Sequence, residues 1–443
     1  MSQLSFIIKG LIVGFISLLL LIVLFMIGGV INKRESYRAE AISSVISSHA
    51  SQQKFAGPVL VVPFVEEEII TGKNEQGLVE TRNQRRDRHW VFYPKTLDIT
   101  GNVVTSTKKR GIHEVRVYEW QGKLNSRFDF VVPTFSDDGV KRTMGKPYLS
   151  LMVSDVRGLV GAPKLRLSGL VLKLEQGVGL HSKYPGVHAP VPMLAVGESK
   201  SWDVDMDFTL AGTESLSLVP LAENNHVEIK ANWPHPSFGG KHSPRSQKIS
   251  GKDFSAIWDV SSLSTSAQSQ YGEQLDVLSL DSLDVELIEP VDIYLISERA
   301  LDHAFLFIGL TFVSFFMFEV IKQLAIHPIQ YLLVGMSLAI FFLLLISLSE
   351  KISFVSAYLV ASIASIGLLF VYLSSILKSY MRGIGFSVML TVLYAALYGL
   401  LVSEDNALAM GSILLFGIIA AIMIVTRKID WYNLGKKEIS QEP

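Results

Sequence analysis

The residues able to do chemistry are scattered along this chain. Ten histidines are distributed over 443 residues, whereas a zinc centre needs three or four converging ligands. The closest useful pair is His235 and His242, with His226 upstream, and neither H-E-x-x-H nor H-x-H occurs. These residues read as surface or turn histidines. The chain has no cysteine, which removes thiol nucleophiles, disulfide frameworks and Cys-type zinc sites. No G-x-S-x-G elbow is present, and no S-x-x-K stands in a penicillin-binding context. A Ser–His triad assembled only by the fold stays open. Gly239-Gly240-Lys241 and Ser250-Gly251-Lys252 lack the full P-loop spacing. No catalytic residue, metal or cofactor is therefore expected, and the chain reads as a non-enzyme.

Two groups of residues stand out for binding or positioning. In Ala231-Asn232-Trp233-Pro234-His235-Pro236-Ser237-Phe238-Gly239-Gly240, two prolines flank a histidine between aromatics. Such a stiff segment either presents Trp233, His235 and Phe238 to a partner or to lipid headgroups, or closes a sheet with Trp233 in the core. The second is Glu319, a carboxylate in the last turn of an apolar segment. Intramembrane carboxylates are costly and mark function by default, but Lys322 lies three residues on and can pair with it as an end-anchor. Arg82, Arg85, Arg86 and Arg88, and Lys108-Lys109-Arg110, read as solvated loop charges or as contacts to anionic headgroups.

The elements that would position these residues follow from segregation of polar and apolar sequence. Charged residues make up only 18% of the chain and hydrophobic ones 49%, against a soluble average of roughly 25% charged. Spanning roughly 30 Å of hydrocarbon takes about 20 apolar helical residues. Six segments qualify, near Gly10–Ile31, Ala304–Ile321, Tyr331–Leu348, Ile352–Tyr372, Ile384–Val402 and Ala407–Val425. The first is longer than a signal-peptide core and lacks an A-x-A-like site, so it reads as a retained signal-anchor. Gly335, Gly367, Gly399, Gly411 and Gly417 read as helix-packing positions, and His327-Pro328 as a helix start.

Short-loop cations set the orientation. Arg427, Lys428, Lys436 and Lys437 mark the tail, the loop Ser403–Asn406 has no cation, and Lys378, Arg382 and Lys322 mark the alternate loops. Both termini are then cytoplasmic and the long polar segment periplasmic. Lys33, Arg34 and Arg38 argue locally the other way, against Lys9 and the terminal amine. The net charge of −1 gives no footprint for nucleic acid. The partner expected with most reason is the lipid bilayer, with an envelope protein as a second.

The polar segment begins as a helix, with Tyr37, Ile42, Val45 and Ile46 on one face, ended by Gly57-Pro58. Beyond it lie strand signals at Val59–Phe64, Arg88–Tyr93, Thr96–Thr105, His113–Glu119, Ser126–Val132, Leu165–Leu174, Asp203–Leu210, His226–Trp233 and Val285–Ile288. Their close spacing predicts an antiparallel sandwich or barrel-like sheet, with Pro290–Arg299 leading back to the membrane. The fold class is thus a membrane α-helical bundle of about six transmembrane helices plus a large extracytoplasmic, β-sandwich-like domain. Its parts are an anchor helix at 1–32, a periplasmic β-rich domain at 33–300, a five-helix bundle at 301–426 and a cytoplasmic tail at 427–443.

Five stretches resemble the CreD family of cell-envelope-integrity inner-membrane proteins, in family order and over nearly the whole chain. They are Gly57-Pro58-Val59-Leu60-Val61-Val62-Pro63, Ser154-Asp155-Val156-Arg157-Gly158, Asn232-Trp233-Pro234-His235-Pro236-Ser237-Phe238, His327-Pro328-Ile329-Gln330-Tyr331-Leu332-Leu333-Val334-Gly335 and Thr426-Arg427-Lys428-Ile429-Asp430-Trp431-Tyr432. The resemblance implies a regulated inner-membrane protein tied to a two-component regulon and to envelope stress, including β-lactam and colicin responses, with no family catalytic residues to carry over. Three classes remain: a non-enzymatic scaffold or sensor, a lipid or small-molecule binder or carrier, and a membrane-bound hydrolase. A stable protein neighbour, a bound lipid, or a covalent adduct with a serine-directed probe would tell them apart.

Overall fold

The computed structural model describes residues 3–73, 79–111, 113–179, 184–273, 277–287, 293–322, 326–402 and 407–427. The chain forms two compact units, Met1–Ala39 with Val291–Pro443, and Glu40–Pro290. The tail from residue 428, the loop 403–406 and the residues 288–292 lie outside the described residues, with the expectations that fall on them.

The helical unit takes its first element from α1 (Gln3–Ser48), a 46-residue helix. Ile16, Leu20, Leu24, Ile27 and Ile31 are buried, and Leu11, Phe15, Leu18, Ile22 and Phe25 are exposed. Steps of three and four put the first set on one stripe of a helix, so one face packs on protein and the other is left for lipid. After α2 (Ala267–Gly272), which belongs to the other unit, come α3 (Ile293–Asp302), α4 (Ala304–Lys322), α5 (Pro328–Ser349), α6 (Phe354–Ile376), α7 (Tyr380–Val402) and α8 (Ala407–Thr426).

Among the described residues, α1, α5, α6 and α7 are each long and apolar enough to cross a membrane. Helix α3 with the first part of α4 makes a fifth candidate, bent by 42° at the break between them. The expected connection at Pro290–Arg299 is thus helical from Ile293. His327 caps α5: its Nδ1 accepts from Ile329 N at 3.3 Å, and its own N–H donates to Gln330 Oε1 at 3.0 Å. Pro328 takes the first turn, where a missing N–H costs nothing. A Cβ at Gly335 would lie 2.2 Å from Leu20 and one at Gly399 3.0 Å from Met410, whereas at Gly367 and Gly417 it would meet nothing within 4 Å. Close packing therefore explains Gly335 and Gly399 but not Gly367 or Gly417.

The second unit is β-rich. In chain order its strands are β1 (Gln53–Lys73), β2 (Val79–Phe92), β3 (Thr96–Arg110), β4 (His113–Val131), β5 (Lys141–Met144), β6 (Tyr148–Val153), β7 (Lys164–Leu167), β8 (Leu170–Val171), β9 (Glu175–Gln176), β10 (Gly186–Pro190), β11 (Ser199–Thr213), β12 (Ser215–Val219), β13 (Asn224–Ala231), β14 (Pro236–Gly240), β15 (Ser246–Ile249), β16 (Phe254–Ser261) and β17 (Leu283–Leu287). Among the described residues they form two sheets. The first has nine strands in the order β14-β17-β12-β1-β6-β10-β9, with β2 and β5 also paired to β1; the second has eight in the order β15-β16-β13-β3-β4-β11-β7-β8.

Alternate residues of both sheets meet in one core. Phe55, Leu60 and Val62 of β1 and Leu149 and Leu151 of β6 join Leu97 and Ile99 of β3, Trp120, Leu124 and Phe128 of β4, and Val204, Met206 and Phe208 of β11. Val59, Val61, Tyr148 and Met152 point to the opposite face of the first sheet, which Ala267 of α2, Val277 and Leu280 cover.

Several expectations are corrected. The sheets are mixed rather than antiparallel, because β1 runs parallel to β12 and β13 parallel to β3. Gly57-Pro58 does not end the helix: α1 stops at Ser48, and the dipeptide lies inside β1 at a register shift between Ala56 and Val59. The strands expected at His113–Glu119 and Ser126–Val132 are one strand, β4. Leu165–Leu174 is instead a tight hairpin, turning at Ser168 and Gly169, both with positive φ. Arg85, Arg86 and Arg88 lie on a strand, β2, and not in a loop.

Candidate functional site

Glu319 is 4% exposed, and a carboxylate so buried demands partners. They come from three elements. Lys9, near the start of α1, donates through Nζ to Glu319 Oε1 and, at 2.5 Å, to Ile326 O. Tyr331 of α5 donates its hydroxyl to Oε2 at 2.8 Å, and Ile326 N–H donates to Oε1 at 3.3 Å. Lys9 and Tyr331 are themselves buried. The charge is thus neutralised and both carboxylate oxygens are used. The expected partner Lys322 has its side chain outside the described residues; the partner that the structure gives is Lys9.

A second pair holds the other end of this part of α1. Arg34 Nε lies 3.6 Å from Glu350 Oε1, which also accepts from the Tyr294 hydroxyl at 3.3 Å. The 25 helical steps from Lys9 to Arg34 cover roughly 37 Å at 1.5 Å each, a little more than the hydrocarbon thickness. Ion pairs therefore bracket the uncharged run Gly10–Ile31. Gly335 lets Leu20 approach between them. Tyr331 and Gly335, in the stretch His327–Gly335, both serve this docking of α1.

In the β-rich unit, Ser154–Gly158 fastens the end of the same helix to β1. Arg157 Nη1 donates to Ser47 O at 2.9 Å, meeting the carbonyl-rich end of α1. Asp155 accepts from Arg157 Nη2 at 2.6 Å and from Ser51 N at 3.1 Å. Ser154 Oγ accepts from Lys54 N at 2.9 Å and donates to Gln52 O at 2.7 Å. A Cβ at Gly158 would lie 2.3 Å from Ala211 O, so only glycine fits.

Burial raises the Asp155 carboxyl, but Arg157 and the N–H groups of Ser51 and Arg157 outweigh it and hold it at about 2, below the ordinary 3.8. A depressed carboxyl stabilises the fold above the unfolded value and loses that contribution as pH falls through the folded one. The contribution near neutrality is about 2 kcal/mol. Thermal unfolding from pH 6 to pH 2 should therefore show Asp155→Asn less stable than wild type by about that amount at neutral pH, with the two converging near pH 2. Parallel curves would remove Asp155 from this role.

The Trp233–Phe238 segment is divided in its roles. Phe238 packs edge-on to Phe254 and Trp258, at 5.6 and 5.7 Å. Trp233 is partly buried: its Nε1 donates to His235 O at 3.0 Å and the Arg116 guanidinium lies 4.2 Å over its ring. Asn232 Oδ1 accepts from Thr105 N at 2.7 Å. Only His235 of the three candidate contact residues is exposed. The other histidines are placed apart in role, His226 Nδ1 lying 2.7 Å from Asp259 Oδ1 and His242 offering its carbonyl to Trp258 Nε1 at 3.2 Å.

Sequence reasoning singled out Glu319 but not Lys9, Tyr331 or Arg157. The signal for Lys9 was available, since it immediately precedes the uncharged run.

Among solved structures, an M1 zinc metallopeptidase of Deinococcus radiodurans bound to a Tyr-Ser-Ala substrate overlaps 44% of this chain and 42% of its own, at 9% identity and a TM-score of 0.25. The M1 zinc metallopeptidase of the same organism without that substrate gives 10% identity, the same coverage and a TM-score of 0.24. Overlaps this slight carry no argument about fold or chemistry. The sequence relationship is much stronger. Inner membrane protein CreD of Escherichia coli (strain K12) is 34% identical over 432 residues, covering 96% of this chain and 94% of that protein. The family model described as inner membrane protein CreD matches residues 5–432. By that match over nearly its whole length, this chain belongs to the CreD family.

Proposed function

We propose that this chain is a multi-pass inner-membrane protein that supports cell-envelope integrity by holding a β-sandwich domain in the periplasm, where it binds a neighbour without catalysis. The observation that carries this reading is the insertion of the unit Glu40–Pro290, which takes in the last turns of α1, between the apolar part of α1 and the remaining helices. Both ends of the domain then return to the bilayer. We count six spans, α1, the bent α3–α4 pair, α5, α6, α7 and α8, which leaves both termini cytoplasmic by the loop cations. The pairing of Arg34 with Glu350 supports this orientation, because a neutralised arginine adds little to the contrary local signal of Lys33, Arg34 and Arg38.

The chain has no cysteine, so a single engineered one reports cleanly. Gly251 lies in the exposed turn between β15 and β16, and a Cβ there meets nothing within 4 Å. Gly251→Cys should label with a membrane-impermeant maleimide once the outer membrane is permeabilised, without lysis. Labelling only after lysis would reverse the orientation. A photoreactive residue at exposed His235 should then yield a reproducible protein adduct in cells. Lipid adducts alone would favour the second reading, a lipid or small-molecule binder, which a cleft on the first sheet also favours.

A further inference from the structure

A cleft of about 450 Å³ opens where β1, β2, β6 and β10 come together, within the range of roughly 300–1,000 Å³ typical of small-molecule sites. Its apolar wall includes Pro63, Pro147 and Tyr148, and its rim carries Arg85 and Lys146 against one carboxylate, Asp87. Missing side chains keep it open. A Cβ at Gly179 would lie 2.2 Å from the Tyr148 ring, and one at Gly145 would lie 3.0 Å from Pro63 Cγ. The floor is held in place: Gly145 N donates to Pro63 O at 2.8 Å, and the His188 ring meets Tyr148 edge-on at 5.5 Å. His188 Nδ1 is fixed in turn by Gly177 O at 2.8 Å.

The rim cations are only lightly committed. Arg85 is 3.6 Å from Asp87, with both side chains largely exposed. Arg88 lies on the other face of β2, 3.4 Å from Glu66, which Arg142 Nε holds at 2.9 Å. Lys146 makes no ion pair among the described residues. The Arg85 guanidinium has five N–H donors, and an exposed pair of this kind holds its partner weakly. An arriving oxyanion therefore finds donors available while its apolar part covers Tyr148 and the prolines.

We propose that this cleft binds an amphipathic anion, with its phosphate or carboxylate on Arg85 and Lys146 and its apolar body on Pro63, Pro147 and Tyr148. The proposal is independent of which side of the membrane the domain occupies. The test is calorimetric titration of the full chain, in nanodiscs of phosphatidylcholine, with octyl phosphate. One octyl phosphate should bind per chain, inorganic phosphate at least about tenfold more weakly, and octyltrimethylammonium not at all. Arg85→Glu and Lys146→Glu, both at exposed positions, should each weaken octyl phosphate about tenfold or more at an unchanged melting temperature. Replacing part of the phosphatidylcholine by phosphatidylglycerol separates the sources. Competition assigns the ligand to the bilayer, and undiminished binding assigns it to a soluble anion. Heat no greater than with empty discs, equal binding of the cation, or two variants that bind like wild type would each overturn the proposal.

Discussion

Lys9→Met should destabilise the protein by about 3–5 kcal/mol, because it strands a buried carboxylate. Glu319 would keep the Tyr331 hydroxyl and the Ile326 N–H but lose the cation that neutralises it. Glu319→Gln alone should cost a similar amount by stranding the ammonium. The double variant should recover most of the loss, since a glutamine oxygen can accept from Ile326 N–H while its amide N–H donates to the Tyr331 hydroxyl, and no charge remains. A double-mutant cycle on unfolding in detergent isolates the coupling. Additive effects of the two substitutions would mean that the pair does not hold α1, and the first span would then be fixed by its apolar stripe alone.

A comparable loss is expected in the β-rich unit. Trp120 is fully buried, with Phe208 edge-on at 4.8 Å and Phe55 at 6.1 Å. Trp120→Ala should cost about 3–5 kcal/mol through the lost burial and the cavity left behind. Trp120→Phe should cost much less. The indole Nε1 is buried and has no acceptor among the described residues, and an unpaired buried donor costs about 1–3 kcal/mol. Removing it offsets part of the lost volume. Melting temperatures of the two variants check this, and equal losses would show that the N–H finds a partner in solution.

Particular residues show where the sequence was legible. The apolar runs declared the helices because lipid demands about 20 such residues in a row, and β-branched alternation declared β3, β11 and β13. Glycine misled. Gly101 and Gly122 face each other across β3 and β4, and a Cβ on them would strike Trp120 at 2.0 Å and Phe208 at 2.4 Å. They make room for rings in a continuous strand, yet in one dimension Gly122 reads as a turn. Strand β6 was missed for the opposite reason: all its residues are buried, so nothing alternates. At the buried pair, Glu319 was visible as a carboxylate in apolar surroundings. Lys9 was recoverable from topology, since the start of the first of two successive antiparallel spans and the end of the second lie on the same side. The cleft was illegible, because it joins residues from Pro63 to Pro190 that only the sheet brings together.

The strand order has a consequence for self-association. Open sheet edges invite pairing between chains, and proteins guard them with shortness, proline and charge. Here β14 and β15 have five and four residues and β8 and β9 two each, at the four ends of the two sheets. Pro236 opens β14. Where β1 and β2 run on together, Arg86 and Arg88 of β2 meet Glu68 and Glu66 across the ladder, at 4.0 and 3.4 Å. The arginine run thus doubles as a guard against fibril-like stacking, and a copy crowded beside another in the envelope meets charge where it would otherwise find a template.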